Sequence, residues 1–284
     1  AIVSELFTVE LARLTKTECG IPYCFINPGY YFGPGSRRPP EADFIGMSRV
    51  FREESMPAVR EASLVLHGTD PIFDPPPPGL PAHHYYVGSL AWERSSDAPA
   101  YLDVPGPRWV LVTLSMSPQE GEMTLARTAL RTLAEFRVRT LLTLSERHPR
   151  EELGAVPPNA RIELFVPHSE VLKRSCLLIS HAGHGIVTKA LSYGVAMVLV
   201  PWGRDQPGVA ARAAALGIAE VIPRQDLTEA RLSAAIRKVL GTACYQEEAA
   251  RIVGRMQGQD AVASACVRIE EFMDKNSKRG GGEE

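Results

Sequence analysis

The sequence has few cysteines, and no two of them lie at the close spacing of a CxxC pair. An odd number of cysteines at wide spacing argues against a disulfide framework and against a zinc site. We therefore favour a reducing, cytoplasmic setting for this chain. The cysteines are Cys19, Cys24, Cys176, Cys244 and Cys266.

The sequence also lacks a run of about 20 apolar residues, which a membrane-spanning helix needs. Its formal net charge is −2, so there is no basic excess that would indicate a nucleic-acid partner. These features exclude membrane-spanning and nucleic-acid-binding proteins. The hydrophobic content of 45% is typical of a globular protein with a substantial core.

The pattern along the chain indicates an α/β protein. Residues 109–240 alternate short runs of Val, Leu and Ile with segments of helical period, which is typical of a doubly wound parallel sheet. Residues 1–27 have the pattern of a βαβ unit, with strands expected at 1–7 and 21–27. A polar, proline-rich segment separates the two parts. The predicted division is a domain at 1–92, a linker at 93–107, a domain at 108–275 and a disordered tail at 276–284.

A glycine-rich turn follows the predicted strand 176–180 and opens a predicted helix. Its sequence is HAGHG, in which Gly183 and Gly185 allow the backbone to approach a ligand closely. The unpaired amides and the dipole of a helix start favour an anion, so a phosphate or diphosphate is the expected ligand. The alternative is that the glycines only allow the helix and the strand to pack tightly.

A second polar turn, PWGRDQP, follows the next predicted strand. A carboxylate and an amide side by side, Asp205 and Gln206, can hold neighbouring hydroxyl groups such as those of a sugar ring. The alternative is that Asp205 caps the helix that begins near Pro207.

Together these turns carry a family resemblance. The stretch HAGHGIVTKALSYGVAMVLVPWGRDQ resembles the donor-binding signature of the glycosyltransferase family that includes plant UDP-sugar transferases and bacterial macrolide glycosyltransferases, glycosyltransferase family 1. The segments FVPH and TLSMSPQ also fit. The resemblance implies the GT-B fold, in which two Rossmann-like, doubly wound domains bind acceptor and donor. The N-terminal, acceptor-binding domain would be incomplete here, since the family has a longer one.

The resemblance also implies roles for individual residues. A diphosphate would be held by His181 and by the turn formed by Gly183, His184, Gly185 and Ile186, with Ser115 beside it. The sugar hydroxyls would be held by Asp205 and Gln206. The nucleoside base would be held by Val166 and His168, with Phe165 stacking nearby. No metal ion and no cofactor are expected, because the nucleotide sugar is a co-substrate and no carboxylate pair with the spacing of a metal site is visible.

Three positions depart from the family pattern. Ser115 stands where many members have Gly, and Ala196 stands where the family usually has Pro. Lys189 stands where UDP-using relatives often have a Glu that accepts hydrogen bonds from the ribose. A lysine cannot accept a hydrogen bond, and a deoxyribose donor such as a dTDP-sugar would tolerate that loss better. Lys189 could equally be a solvated helix residue, so UDP and dTDP donors both remain open.

The catalytic base is the largest departure. In relatives it is a histidine paired with an acid, and Glu5 matches the position of that acid. The segment that holds the histidine is not in the sequence, and we interpret His67, His83 and His84 as surface or core residues. We therefore expect an N-terminally truncated chain, or one completed by a partner chain, that binds a nucleotide sugar and transfers little.

The predicted function is transfer of a hexose from a UDP- or dTDP-sugar to a hydroxyl of a small molecule, with inversion and without a metal. The alternative is a non-catalytic nucleotide-sugar-binding or auxiliary protein. Aromatic side chains in two loops suggest a flat or apolar acceptor such as a macrolide, polyketide or flavonoid, unless they only pack the loops. These are Tyr30, Tyr31, Phe32 and Phe73.

Overall fold

The computed structural model describes residues 1–5, 8–29, 55–90, 92–94, 96–256 and 260–277. It divides into two compact units, one formed by residues 1–90 and 258–284 and the other by residues 91–257. Each unit contains a parallel sheet, which confirms the predicted α/β class.

The first unit has four described strands in the order β1-β2-β3-β4, and neighbouring strands pair in parallel. Helix α1 ends at Gly20, whose φ of 69° is the left-handed conformation that glycine adopts without a Cβ clash. The elements are β1 (Ile2–Ser4), α1 (Val9–Cys19), β2 (Tyr23–Asn27), α2 (Ser55–Glu61), β3 (Leu64–His67) and β4 (His84–Tyr86).

The second unit has a six-stranded parallel sheet in the order β10-β9-β8-β5-β6-β7. Its elements follow the alternation predicted for residues 109–240, with bounds that differ by at most three residues. They are β5 (Trp109–Thr113), α3 (Met123–Leu133), β6 (Arg139–Thr143), β7 (Ala160–Glu163), α4 (His168–Leu172), β8 (Ser175–Ser180), α5 (His184–Ser192), β9 (Met197–Leu199), α6 (Gln206–Ala215), β10 (Ala219–Val221), α7 (Glu229–Gly241) and α8 (Ala243–Met256).

Both faces of this sheet are covered. Val110 and Val112 belong to a large core cluster on one face, and the intervening Leu111 is equally buried on the other. Helices α3 and α7 pack beside each other, and α5 packs against α6 and α8. Strands buried on both faces explain the continuous apolar runs in the sequence, because successive side chains point to opposite faces.

The C-terminal helix differs from the prediction. Helix α9 (Ala261–Ser277) belongs to the first unit, where Ala265 and Phe272 share a core cluster with Leu64 and Leu66. The sequence assigned this segment, up to residue 275, to the domain of residues 108–275. Residues 276 and 277 are helical although a disordered tail was predicted from residue 276, and the rest of that predicted tail lies outside the described residues.

The segment predicted as a linker, 93–107, belongs to the second unit, which extends over residues 91–257. Within it a short 3₁₀ turn, Ala100–Leu102, buries Leu102, and the indole Nε1 of Trp109 donates to the carbonyl of Leu102 at 3.4 Å. The compact units divide at Leu90 rather than at residue 92. None of the helices in the described part of the chain has the length and apolarity that a membrane crossing needs.

Of the four loop aromatic residues predicted to line an acceptor site, only Phe73 lies among the described residues. Phe73 is 1% exposed, so it packs inside the first unit and does not line an open acceptor site. The predicted contribution of Tyr30, Tyr31 and Phe32 lies outside the described residues.

Candidate functional site

The strand order places the loops after β5, β8 and β9 at one edge of the sheet. Strand β5 lies between β8 and β6, so the chain reverses its direction of winding beside β5. At the carboxyl ends, Thr113 pairs with Ser180, and Ser180 pairs with Leu199. In open α/β sheets, ligands bind outside the carboxyl ends of the strands at such a reversal.

The turn after β8 has a strained backbone. Ala182 has a φ of 66°, a conformation that costs a residue with a Cβ about 1–2 kcal/mol. The hydroxyl of Ser180 accepts a hydrogen bond from the amide of Ala182 at 3.1 Å and helps to hold the turn. Gly183 is the N-cap residue of helix α5 and has no side chain to cap it, so the first turn of the helix presents amides that have no intrahelical acceptor.

His181 lies beneath this turn with only 7% of its surface exposed. Its Nδ1 atom is 3.5 Å from the carbonyl oxygen of Thr113 and 4.0 Å from Oε1 of Glu122. Its Nε2 atom faces Gly183, because a Cβ on Gly183 would lie 2.5 Å from it. Burial lowers the pKa of His181, and this outweighs the opposite effect of Glu122, so the ring is neutral at pH 7.

This packing gives different expectations for the two glycines of the turn. Gly183→Ala should displace the His181 ring and lower the free energy of unfolding by about 1–3 kcal/mol, because the added methyl group overlaps Nε2. Gly185→Ala is the matched control, since its Cβ would meet no atom within 4 Å. Urea unfolding of the two variants measures the difference. Equal losses of stability would mean that His181 does not occupy the space beneath Gly183.

A buried carboxylate, which the sequence analysis missed, organises the loop after β5. Glu122 is 1% exposed and accepts hydrogen bonds from the amide of Ser115 at 2.6 Å and from the amide of Gln119 at 3.1 Å. The Ser115 hydroxyl also bonds to Glu122 and lies 2.7 Å from the carbonyl of Ser117. The hydroxyl of Ser115 is therefore bonded within its own loop, and its position beside a diphosphate stays a prediction.

A second histidine lies on the other side of the same carboxylate. The Nε2 atom of His148 is 3.9 Å from Oε2 of Glu122, is buried, and has no hydrogen-bond partner. Its Nδ1 atom contacts the amide of Ser145 at 3.0 Å. Glu122 thus sits between two imidazole rings under the predicted diphosphate turn. No local motif marks Glu122 or His148 in the sequence, since they are brought together only by the fold.

The turn after β9 is held by Gln206. Its Oε1 atom accepts hydrogen bonds from the amides of Trp202 at 2.8 Å and Gly203 at 3.0 Å, so the Nε2 amide hydrogens are the donors that remain for a ligand. Arg204 has a φ of 58° and donates to the carbonyl of Ser117 at 3.3 Å, which joins this turn to the loop after β5.

Asp205 does not act as the helix cap that the alternative interpretation required. It precedes α6, but its side chain makes no capping hydrogen bond. Burial raises the pKa of its carboxyl group, and the nearby Arg204 has a smaller, opposite effect. The role of Asp205 in binding sugar hydroxyls stays a prediction.

The FVPH segment lies at the end of β7. Phe165 is 54% exposed, as a stacking surface requires, whereas the Val166 side chain is buried, so only its backbone could contact a base. The ring of His168 is 3.0 Å from the hydroxyl of Thr143. Burial, followed by the nearby Lys189, lowers the pKa of His168 to about 4, so this ring is neutral.

Lys189 is not a solvated helix residue. Its ammonium group is 2.7 Å from Oε1 of Glu93, and the two side chains are only 14% and 19% exposed. The same carboxylate accepts hydrogen bonds from the amides of His168 at 2.7 Å and Ser169 at 3.1 Å, at the start of α4. Glu93, another residue that the sequence analysis missed, therefore ties the FVPH segment to α5.

His184 and Ile186 complete the predicted set at the start of α5. Burial, followed by the charge of Arg212, lowers the pKa of His184 to about 4. The carbonyl of His184 accepts a hydrogen bond from the Thr188 hydroxyl at 2.9 Å. The side chain of Ile186 is partly buried.

Glu5 belongs to the first unit and follows β1. Its side chain accepts a hydrogen bond from the Thr8 hydroxyl at 3.2 Å, and the Thr8 side chain in turn accepts from the amide of Glu5. The histidines of this unit pack together, with Nε2 of His67 3.0 Å from Nδ1 of His84. Burial lowers the pKa of His67 to about 3 and that of His84 to about 4. These values are typical of core histidines, which agrees with the interpretation from sequence.

Within the described part of the chain, no three His, Cys, Asp or Glu side chains converge as they would to hold a metal ion. The donor-site residues predicted from sequence are nevertheless brought to one edge of the second unit, at the ends of β5, β7, β8 and β9.

Comparison with known proteins identifies the family. Residues 127–271 match the family described as erythromycin biosynthesis protein CIII-like, C-terminal domain, and this match covers half of the chain. The chain is 28% identical over 238 residues to 4'-demethylrebeccamycin synthase of Lentzea aerocolonigenes. That match covers 80% of this chain and 54% of the relative, so the chain spans about half the length of that protein.

Solved structures share the fold. Spinosyn rhamnosyltransferase SpnG complexed with spinosyn aglycone has a TM-score of 0.75 and 19% identity, with coverage of 95% of this chain and 73% of that one. The same enzyme complexed with thymidine diphosphate has a TM-score of 0.71 and 19% identity, with coverage of 95% and 72%. The predicted GT-B class is therefore confirmed. The chain belongs to the family described as erythromycin biosynthesis protein CIII-like, C-terminal domain.

Proposed function

We propose that this chain holds the nucleotide-sugar site of a glycosyltransferase that moves a hexose to a hydroxyl of a small molecule such as a macrolide, polyketide or flavonoid. The observation that carries the proposal is the edge formed by β5, β8 and β9. There His181 and the start of α5 follow β8, Asp205 and Gln206 follow the neighbouring strand β9, and each turn holds a non-glycine residue of positive φ. Backbone strain of this kind is concentrated at ligand sites.

In the proposed mechanism the start of α5 and His181 bind the diphosphate, and Asp205 and Gln206 bind the sugar hydroxyls. The acceptor oxygen attacks the anomeric carbon from the face opposite the diphosphate, so the configuration inverts. The bond to the diphosphate breaks, and its developing negative charge is stabilised by the amides and dipole of α5. Because these groups supply positive potential, we expect EDTA to leave turnover unchanged. Loss of turnover that Mg²⁺ restores would contradict metal independence.

We further propose that the donor is a dTDP-sugar. Lys189 stands where a ribose-binding acceptor would be expected, and it is paired with Glu93. It therefore offers no acceptor to a ribose 2′-hydroxyl, which thymidine nucleotides lack. A solved structure that shares the fold contains thymidine diphosphate.

Parallel titrations with dTDP-glucose and UDP-glucose, followed by calorimetry, test both proposals. We expect binding of both, with a dissociation constant for dTDP-glucose no higher than that for UDP-glucose. Tighter binding of UDP-glucose would contradict the donor assignment. Absence of binding to either nucleotide sugar would overturn the proposed function itself.

A non-catalytic nucleotide-sugar-binding protein is the second candidate. It is favoured by Glu5, whose carboxylate bonds to Thr8, and by the buried state of His67. Neither residue shows the arrangement of a general base. Assays of donor binding and of glycosylation of a panel of phenols and macrolides distinguish the candidates, since the second predicts binding without transfer.

We also propose that the protein acts in the cytoplasm. All five cysteines are free, although three of them are exposed. Exposed free thiols are typical of proteins in a reducing compartment.

A further inference from the structure

The proton position on His181 follows from its neighbours. Its Nδ1 atom faces the Thr113 carbonyl at 3.5 Å and the Glu122 carboxylate at 4.0 Å. Glu122 already accepts hydrogen bonds from two backbone amides, those of Ser115 at Oε1 and Gln119 at Oε2, so both of its oxygens act as acceptors. Both groups that face Nδ1 are acceptors. The neutral ring therefore carries its single proton on Nδ1, and Nε2 carries a lone pair.

The Nε2 atom is the one that faces the turn. It lies beneath Gly183, at the start of α5, where the diphosphate is proposed to bind. A phosphate oxygen is an acceptor, and a lone pair on Nε2 would repel it. His181 can donate to a phosphate from Nε2 and keep its bond to Thr113 only if both ring nitrogens carry protons.

The charged groups around His181 determine whether its ring can carry this second proton. Glu122, at the start of α3, favours the charged ring, whereas Arg204 from the turn after β9 and His148 from the loop after β6 oppose it. Burial opposes it most strongly and lowers the pKa of His181. A bound diphosphate adds negative charge on the Nε2 side, opposite Glu122. The imidazolium would then lie between two anions.

We propose that binding of the nucleotide sugar is coupled to the uptake of one proton by His181, and that Glu122 is the positioning residue that stabilises the resulting imidazolium. This inference rests on the proposed function, since it requires the diphosphate to bind at the start of α5. The sign follows from linkage. Binding raises the pKa of His181 from its lowered value, so affinity falls as pH rises between the free and bound values.

Calorimetry at pH 7 in buffers of different ionisation enthalpy, MOPS and Tris, measures the proton directly. The observed binding enthalpy of dTDP-glucose or UDP-glucose should vary with the ionisation enthalpy of the buffer. The slope of this dependence should correspond to the uptake of about one proton per site. A nucleotide sugar is the right probe because a free terminal phosphate has its own pKa near 6. Binding with no dependence on buffer overturns the inference and leaves the proposed function intact. Absence of binding to either nucleotide sugar overturns both.

Three variants identify the group that takes up the proton. His181→Gln should bind more weakly and show no slope. Glu122→Gln should lower the slope and weaken binding about tenfold, while its binding should depend less on pH than that of the unmodified chain. His84→Gln is the matched control, because its ring is also neutral and belongs to the first unit, outside the proposed donor site; its slope should remain. A slope kept in His181→Gln would overturn the assignment. If Glu122→Gln does not fold, the slope of the unmodified chain and the two histidine variants still decide.

Discussion

Replacing His181 with alanine should weaken binding of the bare nucleoside diphosphate by about ten- to a hundredfold. The reason is the loss of a hydrogen bond to a charged group, which is worth about 1.5–3 kcal/mol. His181 lies beneath the start of α5, where the charge of the diphosphate is proposed to sit. Calorimetry with dTDP and with UDP measures the change.

Asp205→Ala is the matched comparison. The Asp205 carboxylate belongs to the turn after β9 and is proposed to hold sugar hydroxyls, so its removal should change the affinity for the bare nucleotide little. The same substitution should weaken binding of the nucleotide sugar. Equal effects of the two substitutions on the bare nucleotide would mean that the phosphate and sugar roles are wrongly assigned.

Replacing Glu93 with alanine should lower the free energy of unfolding by about 3 kcal/mol. The substitution leaves the Lys189 ammonium, only 14% exposed, without its partner at 2.7 Å. It also removes the acceptor for the amides of His168 and Ser169 at the start of α4. Breaking a largely buried ion pair by removing one partner costs about 3–5 kcal/mol, and the remaining exposure of this pair puts the expected value at the lower end.

A double-mutant cycle with Lys189→Met, followed by urea unfolding, isolates the pair. Lys189→Met should lower the free energy of unfolding less than Glu93→Ala does, because Glu93 keeps its two amide donors. The double variant should be more stable than the sum of the single effects predicts. A loss below about 0.5 kcal/mol for Glu93→Ala would show that the pair behaves as a solvated surface bridge.

The same pair should make the free energy of unfolding depend on pH in the acidic range. Burial raises the pKa of Glu93, but the hydrogen bonds from Lys189 and Ser169 outweigh it, so the pKa lies below its usual value of 4.5. A carboxyl group with a lowered pKa stabilises the fold above its unfolded pKa, and this contribution is lost as pH falls through the folded pKa. The unmodified chain should therefore lose more stability below about pH 4.5 than Glu93→Ala does. Parallel acid titrations of both proteins would show no difference if the pair contributed nothing.

Much of the second unit could be predicted from local sequence. The runs at 109–114 and 176–180 are apolar at every position except Thr113 and Ser180, because β5 and β8 are buried on both faces, and this pattern is visible without a structure. The turns that follow β8 and β9 are marked by glycines and polar residues clustered within a few positions. The fold class and the location of the donor turns follow from these short-range signals.

What the sequence alone determined was therefore local: strand and helix alternation, the two turns and the family they resemble. Only the tertiary structure decided how distant side chains pair. Glu93 and Lys189 form an ion pair although they lie 96 positions apart in the sequence. Glu122, which precedes α3, lies 4.0 Å from His181, which follows β8. Helix α9 packs in the first unit. Such contacts leave no periodic or motif signal, because a charged residue has the same local pattern whether it is solvated or buried against a partner. Burial and pairing then set its pKa, and these depend on the whole fold.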